Sequence, residues 1–97
     1  MKRIAFQWDE RKNQANIRKH GISFQEAETV FSDEHALLID DPEHSGVEDR
    51  FVLLGLSADL NTLVVCHCYR RGFVIRIISA RKATRREQER YNRRWYQ

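Results

Sequence analysis

Between positions 73 and 82 the chain reads F-V-I-R-I-I-S-A-R-K, with apolar residues on both alternating parities: Phe73, Ile75 and Ile77 on one, Val74, Ile78 and Ala80 on the other. A strand covered on both faces belongs in the middle of a sheet, so this pattern predicts the central strand. Residues 50–56 and 62–70 are the preceding strands, turned at 58–61 and at Arg71-Gly72, which predicts an antiparallel meander. Residues 36–39 add a short strand, and residues 3–8 a short strand or extended lead-in with Ile4 and Phe6 on one side. Asp9 as N-cap and Gly21 as stop bound a helix at 10–20. The capping boxes Ser23 to Glu26 and Thr84 to Glu87 open helices at 24–31 and 85–96. In the first of these Phe24, Ala27, Val30 and Phe31 form the apolar face; in the second Tyr91 and Trp95 line one side with Ala83 and Glu87. The fold expected is a single α+β domain over residues 1–97: two N-terminal helices, an antiparallel meander and a C-terminal helix.

Polar residues interrupt these patterns at informative places. Arg76 sits in the strand between Val74 and Ile78, where a guanidinium needs a carboxylate, a carbonyl or an anion. If Arg71 and Gly72 are the whole turn, Arg70 pairs with Phe73, His67 stands opposite Arg76 on the same face, Tyr69 faces Val74 and Thr62 faces Arg81. On the first helix Lys12, Asn16 and Lys19, and Asn16 with His20, form a polar stripe that either approaches a ligand or is solvated surface.

Charge changes the picture more by its distribution than by its sum. The net charge is +3, but residues 1–22 carry six Lys/Arg against two Asp/Glu, residues 23–49 none against nine, and residues 50–97 eleven against three. Such segregation predicts one surface for a polyanion and another for something basic, unless the segments neutralise each other within the fold. The chain has no run of roughly 20 apolar residues and no signal-like N-terminus, so a cytoplasmic protein without a membrane segment is expected. Cys66 and Cys68 are two apart in a strand, too close in sequence for an unstrained disulfide, and read as reduced thiols. Asp40, Asp41, Glu43 and His44 in the loop at 40–46 read as solvated carboxylates rather than a metal site, and no cofactor is expected.

No phosphate-binding glycine loop, zinc-protease helix or serine-hydrolase elbow is present. What remains is a basic, partly aromatic sheet surface with His67, Tyr69, Arg76, Ser79, Arg81 and Lys82, beside a C-terminal helix rich in arginine, including Arg86 and Arg90. RNA carries its own nucleophile in the 2′-hydroxyl, so a protein can cleave it by orienting the phosphodiester, moving a proton and stabilising the phosphorane charge. The competing reading is a non-catalytic nucleic-acid-binding or adaptor module that uses the same cations only to hold phosphate. A third is a structural partner whose basic face meets an acidic protein.

W-D-E-R-K-N-x-x-N-I-R-K-H-G-I-S-F-x-E-A at 8–27, V-F-S-D at 30–33, E-D-R-F-V-L-L-G at 48–55 and R-I-I-S-A-R-K-A-T-x-x-E at 76–87 closely resemble the BrnT family of bacterial toxins. The resemblance implies a RelE-like fold and a type II toxin–antitoxin function. In that reading the chain is a metal-independent endoribonuclease that arrests translation, neutralised by a BrnA-type antitoxin through which the complex can bind operator DNA. A homodimer is also compatible with it. The candidate roles are then Arg76 and Arg81 for phosphate and transition-state charge, His67 or Tyr69 for proton transfer, and Lys19, His20, Ser79, Lys82, Arg86 and Arg90 for RNA contact.

Overall fold

The structure, a computed structural model, describes residues 4–40 and 50–96. The acidic loop positions Asp41, Glu43 and His44 lie outside the described residues. The elements are β1 (Ala5–Gln7), α1 (Glu10–His20), α2 (Phe24–Thr29) running into a 3₁₀ turn (Val30–Ser32), β2 (Leu37–Asp40), β3 (Phe51–Leu56), β4 (Thr62–Arg70), β5 (Val74–Lys82) and α3 (Arg85–Asn92), which tightens to 3₁₀ over Arg93–Tyr96. They form a five-stranded sheet in the order β1-β5-β4-β3-β2. The α+β class, the antiparallel β3 to β5 meander and the short strand β2 agree with the sequence pattern, and the structure adds the pairing of β2 with β3.

Three expectations change. The middle strand is β4, and β5 lies between β4 and β1, which joins it in parallel, with Phe6 opposite Ile75 and Gln7 opposite Arg76. The double-parity apolar pattern of β5 has a different origin. A register shift between Cys66 and His67 leaves Ile78 as the extra residue of β5: Cys66 pairs with Ser79 and His67 with Ile77. Ile77 before this bulge and Ala80 after it therefore enter the same core, and Ile75, of the same parity as Ile77, is buried as well. Finally, the Ser23 hydroxyl caps Glu26 N at 3.0 Å, but the Glu26 carboxylate does not return the bond. It reaches instead to the β3–β4 turn, accepting from Ser57 Oγ at 2.6 Å and Asn61 Nδ2 at 2.8 Å.

The larger core lies between the sheet and α1–α2, where Ile22, Phe24, Ala27 and Val30 pack on Leu53, Leu63, Val65, Ile77 and Ala80. On the opposite face α3 buries Tyr91 against Leu54 and Val64. Gly55 lets the 3₁₀ turn approach β3, since a Cβ there would stand 2.9 Å from both Ala36 Cβ and Val30 Cγ1. Asp33 joins the two layers: its Oδ2 accepts from Leu56 N at 2.8 Å and from the Tyr91 hydroxyl at 2.6 Å. These donors hold the Asp33 carboxyl below its ordinary value against the opposing effect of burial, while burial and the bond to Asp33 push Tyr91 up to about 12.

Of the α1 stripe, Asn16 is used internally, while Lys12 and Lys19 are exposed. β1 accompanies β5 only over Val74 to Arg76, which leaves the edge of β5 open further along. Asn16, 7% exposed, closes it: its Oδ1 accepts from Ala80 N at 3.1 Å and its Nδ2 donates to Ala80 O at 2.8 Å and Ile22 O at 2.8 Å. One amide thus replaces the missing strand. Asn13, also buried, accepts from Phe24 N and fixes the start of α2.

Candidate nucleic-acid interface

The β4–β5 register decides which candidate residues share a surface. Arg70 pairs with Val74, so the turn has three residues, Arg71 to Phe73, and not two. One extra turn residue shifts each partner by one as far as His67, and the bulge at Ile78 adds a second position beyond it; His67 pairs with Ile77 while Arg76 pairs with Cys68. Val74 is opposite Arg70, not Tyr69, and Arg81 is opposite Val64, not Thr62. His67 and Arg76 therefore project from opposite faces of the sheet, and the expected pairing does not form.

On the α3 face, Gln7, Arg76 and Cys68 form one row across β1, β5 and β4, and Ser79 with Cys66 forms the next. Among the described residues no helix packs over these rows; Ser79 and Gln7 are exposed and Arg76 is half-buried. Arg76 makes no hydrogen bond or ion pair to a described residue. Its guanidinium lies on a sheet face that no described helix covers, beside Cys68, which is buried. Arg81 lies further along the same face with a different fate: its two terminal nitrogens donate to the Glu87 carboxylate at 2.7 and 3.0 Å. Glu87 also accepts from Thr84 N at 2.8 Å in the capping box of α3. The Arg81 bond above all holds Glu87 down to about 2, and the Arg81 guanidinium is raised above its ordinary value. Arg86 and Arg90, four apart on α3, are exposed.

On the α1–α2 face, His67 is fully buried beneath Tyr69, with the Tyr69 hydroxyl 3.3 Å from Nε2 and the Val65 carbonyl oxygen 3.1 Å from Nδ1. Phe31 meets its ring at 4.8 Å and Phe51 at 6.2 Å. Burial lowers the His67 pKa, so the ring is neutral; burial likewise raises Tyr69. Lys82 is exposed, of opposite parity to Arg81, and Lys19 and His20 end α1.

The structure thus gathers Arg76, Ser79 and Arg81 on one face and His67 with Tyr69 on the other. The sequence reading missed the Asn16 edge closure, the Asp33–Tyr91 bond and the second bond of Glu87. Only Glu87 carried a signal, its place in a capping box six residues after Arg81. No group of three or more His, Cys, Asp or Glu among the described residues could hold a metal ion, and no helix among them is long and apolar enough to cross a membrane.

Residues 8–87 match the family described as the ribonuclease toxin, BrnT, of type II toxin–antitoxin systems. The crystal structure of the Brucella abortus ribonuclease toxin BrnT is similar in fold, with a TM-score of 0.63 and 27% sequence identity, covering 86% of this chain and 100% of that one. No curated protein matches the sequence. The match runs from Trp8, just after β1, through the Thr84 to Glu87 capping box, taking in α1, α2 and the whole meander, and on it this chain belongs to the BrnT family of ribonuclease toxins of type II toxin–antitoxin systems.

Proposed function

We propose that this chain is a metal-independent endoribonuclease that cleaves RNA by attack of the substrate's own 2′-hydroxyl, and that the open face of β5 carries the reacting phosphodiester. The observation that carries this reading is Arg76, a half-buried guanidinium unpaired among the described residues, between Gln7 and Cys68 on a sheet face that no described helix covers. Its planar fork can bind two phosphate oxygens at once and remains charged at every relevant pH. Stabilising the added negative charge of the phosphorane is then its role. Arg81 stands five residues along the strand, on the order of 15 Å away, too far to share one phosphorane. It is assigned to a neighbouring phosphate, together with Arg86 and Arg90 at the adjoining helix, and Ser79 to a hydrogen bond between them.

A phosphate at Arg76 has the sheet between it and His67, so we assign the 2′-hydroxyl proton to water and the phosphate oxygens rather than to that imidazole. Lys19 and Lys82 are assigned to positive charge, and His20 to a hydrogen bond, on the α1–α2 side. As a type II toxin, the chain is assigned to the cytoplasm and to neutralisation by a BrnA-type antitoxin that covers the Arg76 face. In that complex, operator DNA binding belongs to the antitoxin.

The test incubates the purified chain with a defined RNA in EDTA, beside Arg76→Ala. Arg76 is a cleaner control than Arg81, whose removal would also strip Glu87 of its partner. Cleavage by the parent leaving 2′,3′-cyclic phosphate ends, lost in Arg76→Ala, supports the reading. Binding without cleavage, with or without ribosomes, replaces it by the non-catalytic nucleic-acid-binding module.

A further inference from the structure

Tyr69 is half exposed, and its hydroxyl turns toward the buried His67. A surface tyrosine ordinarily buries the ring and leaves the polar tip in water. Here the side chain is 50% exposed, yet the hydroxyl turns inward to His67 Nε2 at 3.3 Å. The His67 Nδ1–H donates to the Val65 carbonyl at 3.1 Å, which leaves Nε2 as the acceptor for the tyrosine proton. His67 is itself 0% exposed and wedged against Phe31. Phe51 and His67 each brace the Tyr69 ring at 5.3 Å. An apolar flat surface is therefore held rigidly toward solvent.

Across the turn Phe73 is 51% exposed and of the same parity as Ile75, which pairs with Tyr69. The two exposed residues flank the hairpin turn, separated by Arg70, Arg71 and Gly72, the last with a φ of +72° that makes the turn. Arg70 has the opposite parity and pairs with Val74, which makes it the diagonal neighbour of Arg76 on the open face. Exposed rings alternating with arginines match a polyanion with free π-faces, which single-stranded RNA has and a duplex hides.

We propose that the tip of the β4–β5 hairpin is a stacking platform for single-stranded RNA, in which Tyr69 and Phe73 take unpaired bases and Arg70 and Arg71 the intervening phosphates. His67 is a positioning residue that turns the Tyr69 hydroxyl inward and its ring outward. The inference takes its ligand from the ribonuclease reading and deepens it, since a strand stacked at the tip passes Arg70 on its way to Arg76.

The experiment measures fluorescence anisotropy of Arg76→Ala, as the non-cleaving background, with a labelled oligouridine, an abasic oligomer of the same length and a uridine–adenine duplex. The background chain binds the base-bearing single strand roughly 5- to 150-fold more tightly than the abasic one. Adding Tyr69→Ala or Phe73→Ala removes most of that ratio, and Tyr69→Phe keeps at least half of it. Arg71→Ala weakens both oligomers alike and lowers the salt slope by about one. Equal affinity for base-bearing and abasic strands, equal affinity for the duplex, or an unchanged ratio in folded Phe73→Ala overturns the platform. Cleavage by the parent without base preference overturns the platform and leaves the ribonuclease reading standing. Base preference without cleavage does the reverse.

Discussion

Arg81 and Glu87 form a two-pronged ion pair, at 2.7 and 3.0 Å, that ties the end of β5 to the first turn of α3. The same carboxylate closes the capping box on Thr84, so one side chain sets both the direction of the helix and the direction of the arginine. Both side chains are partly exposed, at 41% for Arg81 and 31% for Glu87, which limits the Coulombic part to about 1 kcal/mol or less.

Glu87→Gln is expected to cost about 1–2 kcal/mol, the pair and part of the cap together. The pH dependence has a defined sign. The folded pKa of Glu87 is depressed from 4.5 to about 2, so its contribution is fully present above 4.5 and disappears as the pH falls toward 2. Urea unfolding at pH 7 and near pH 3 checks this: the gap between parent and Glu87→Gln narrows at the lower pH.

Asn16→Ala removes three hydrogen bonds and strands the buried Ala80 N–H and C=O at an edge that no strand covers. The expected loss is about 2–4 kcal/mol, more than an exposed helix position would show. Thermal unfolding gives the size. Hydrogen exchange gives the place, because protection of the Ala80 amide should fall more than that of Val65 within β4.

Arg76→Ala is expected to lower single-turnover RNA cleavage by about 10²–10³-fold, the usual scale for one transition-state charge contact. Arg76→Lys keeps the charge but loses the fork, and recovers only part of the rate. An oligonucleotide with a 2′-deoxy substitution at the cleavage site should bind Arg76→Ala within a few-fold of the parent. Loss of binding equal to the loss of rate would favour the non-catalytic module.

His67 is buried with a lowered pKa, so the folded protein holds the imidazole neutral while the unfolded chain protonates near 6.5. Its contribution is present above 6.5 and is lost as the pH falls below it. The parent should therefore lose stability as the pH falls below 6.5, on a slope that His67→Phe lacks, read from denaturant midpoints. The cleavage rate of folded His67→Phe should retain the parent's pH profile in shape, because no proton in the proposed reaction passes through His67.

The three helices, their caps at Asp9, Ser23 and Thr84, the stop at Gly21, the short strand β2 and the β3 to β5 meander could all be read along the chain. Each rests on interactions among residues a few positions apart, which local spacing encodes. The family could be read too, from motifs spread over residues 8–87. Which side chains meet across β4 and β5 could not. That depended on a three-residue turn in place of two and on a bulge at Ile78, and with a side-chain period of two a single residue moves Arg76 to the other face from His67. Asn16 at the open edge of β5 and Glu87 beneath Arg81 were likewise settled by tertiary packing. A polar side chain is assigned to a backbone edge or an ion pair only when distant segments arrive together, and the sequence records the residue but not the arrival.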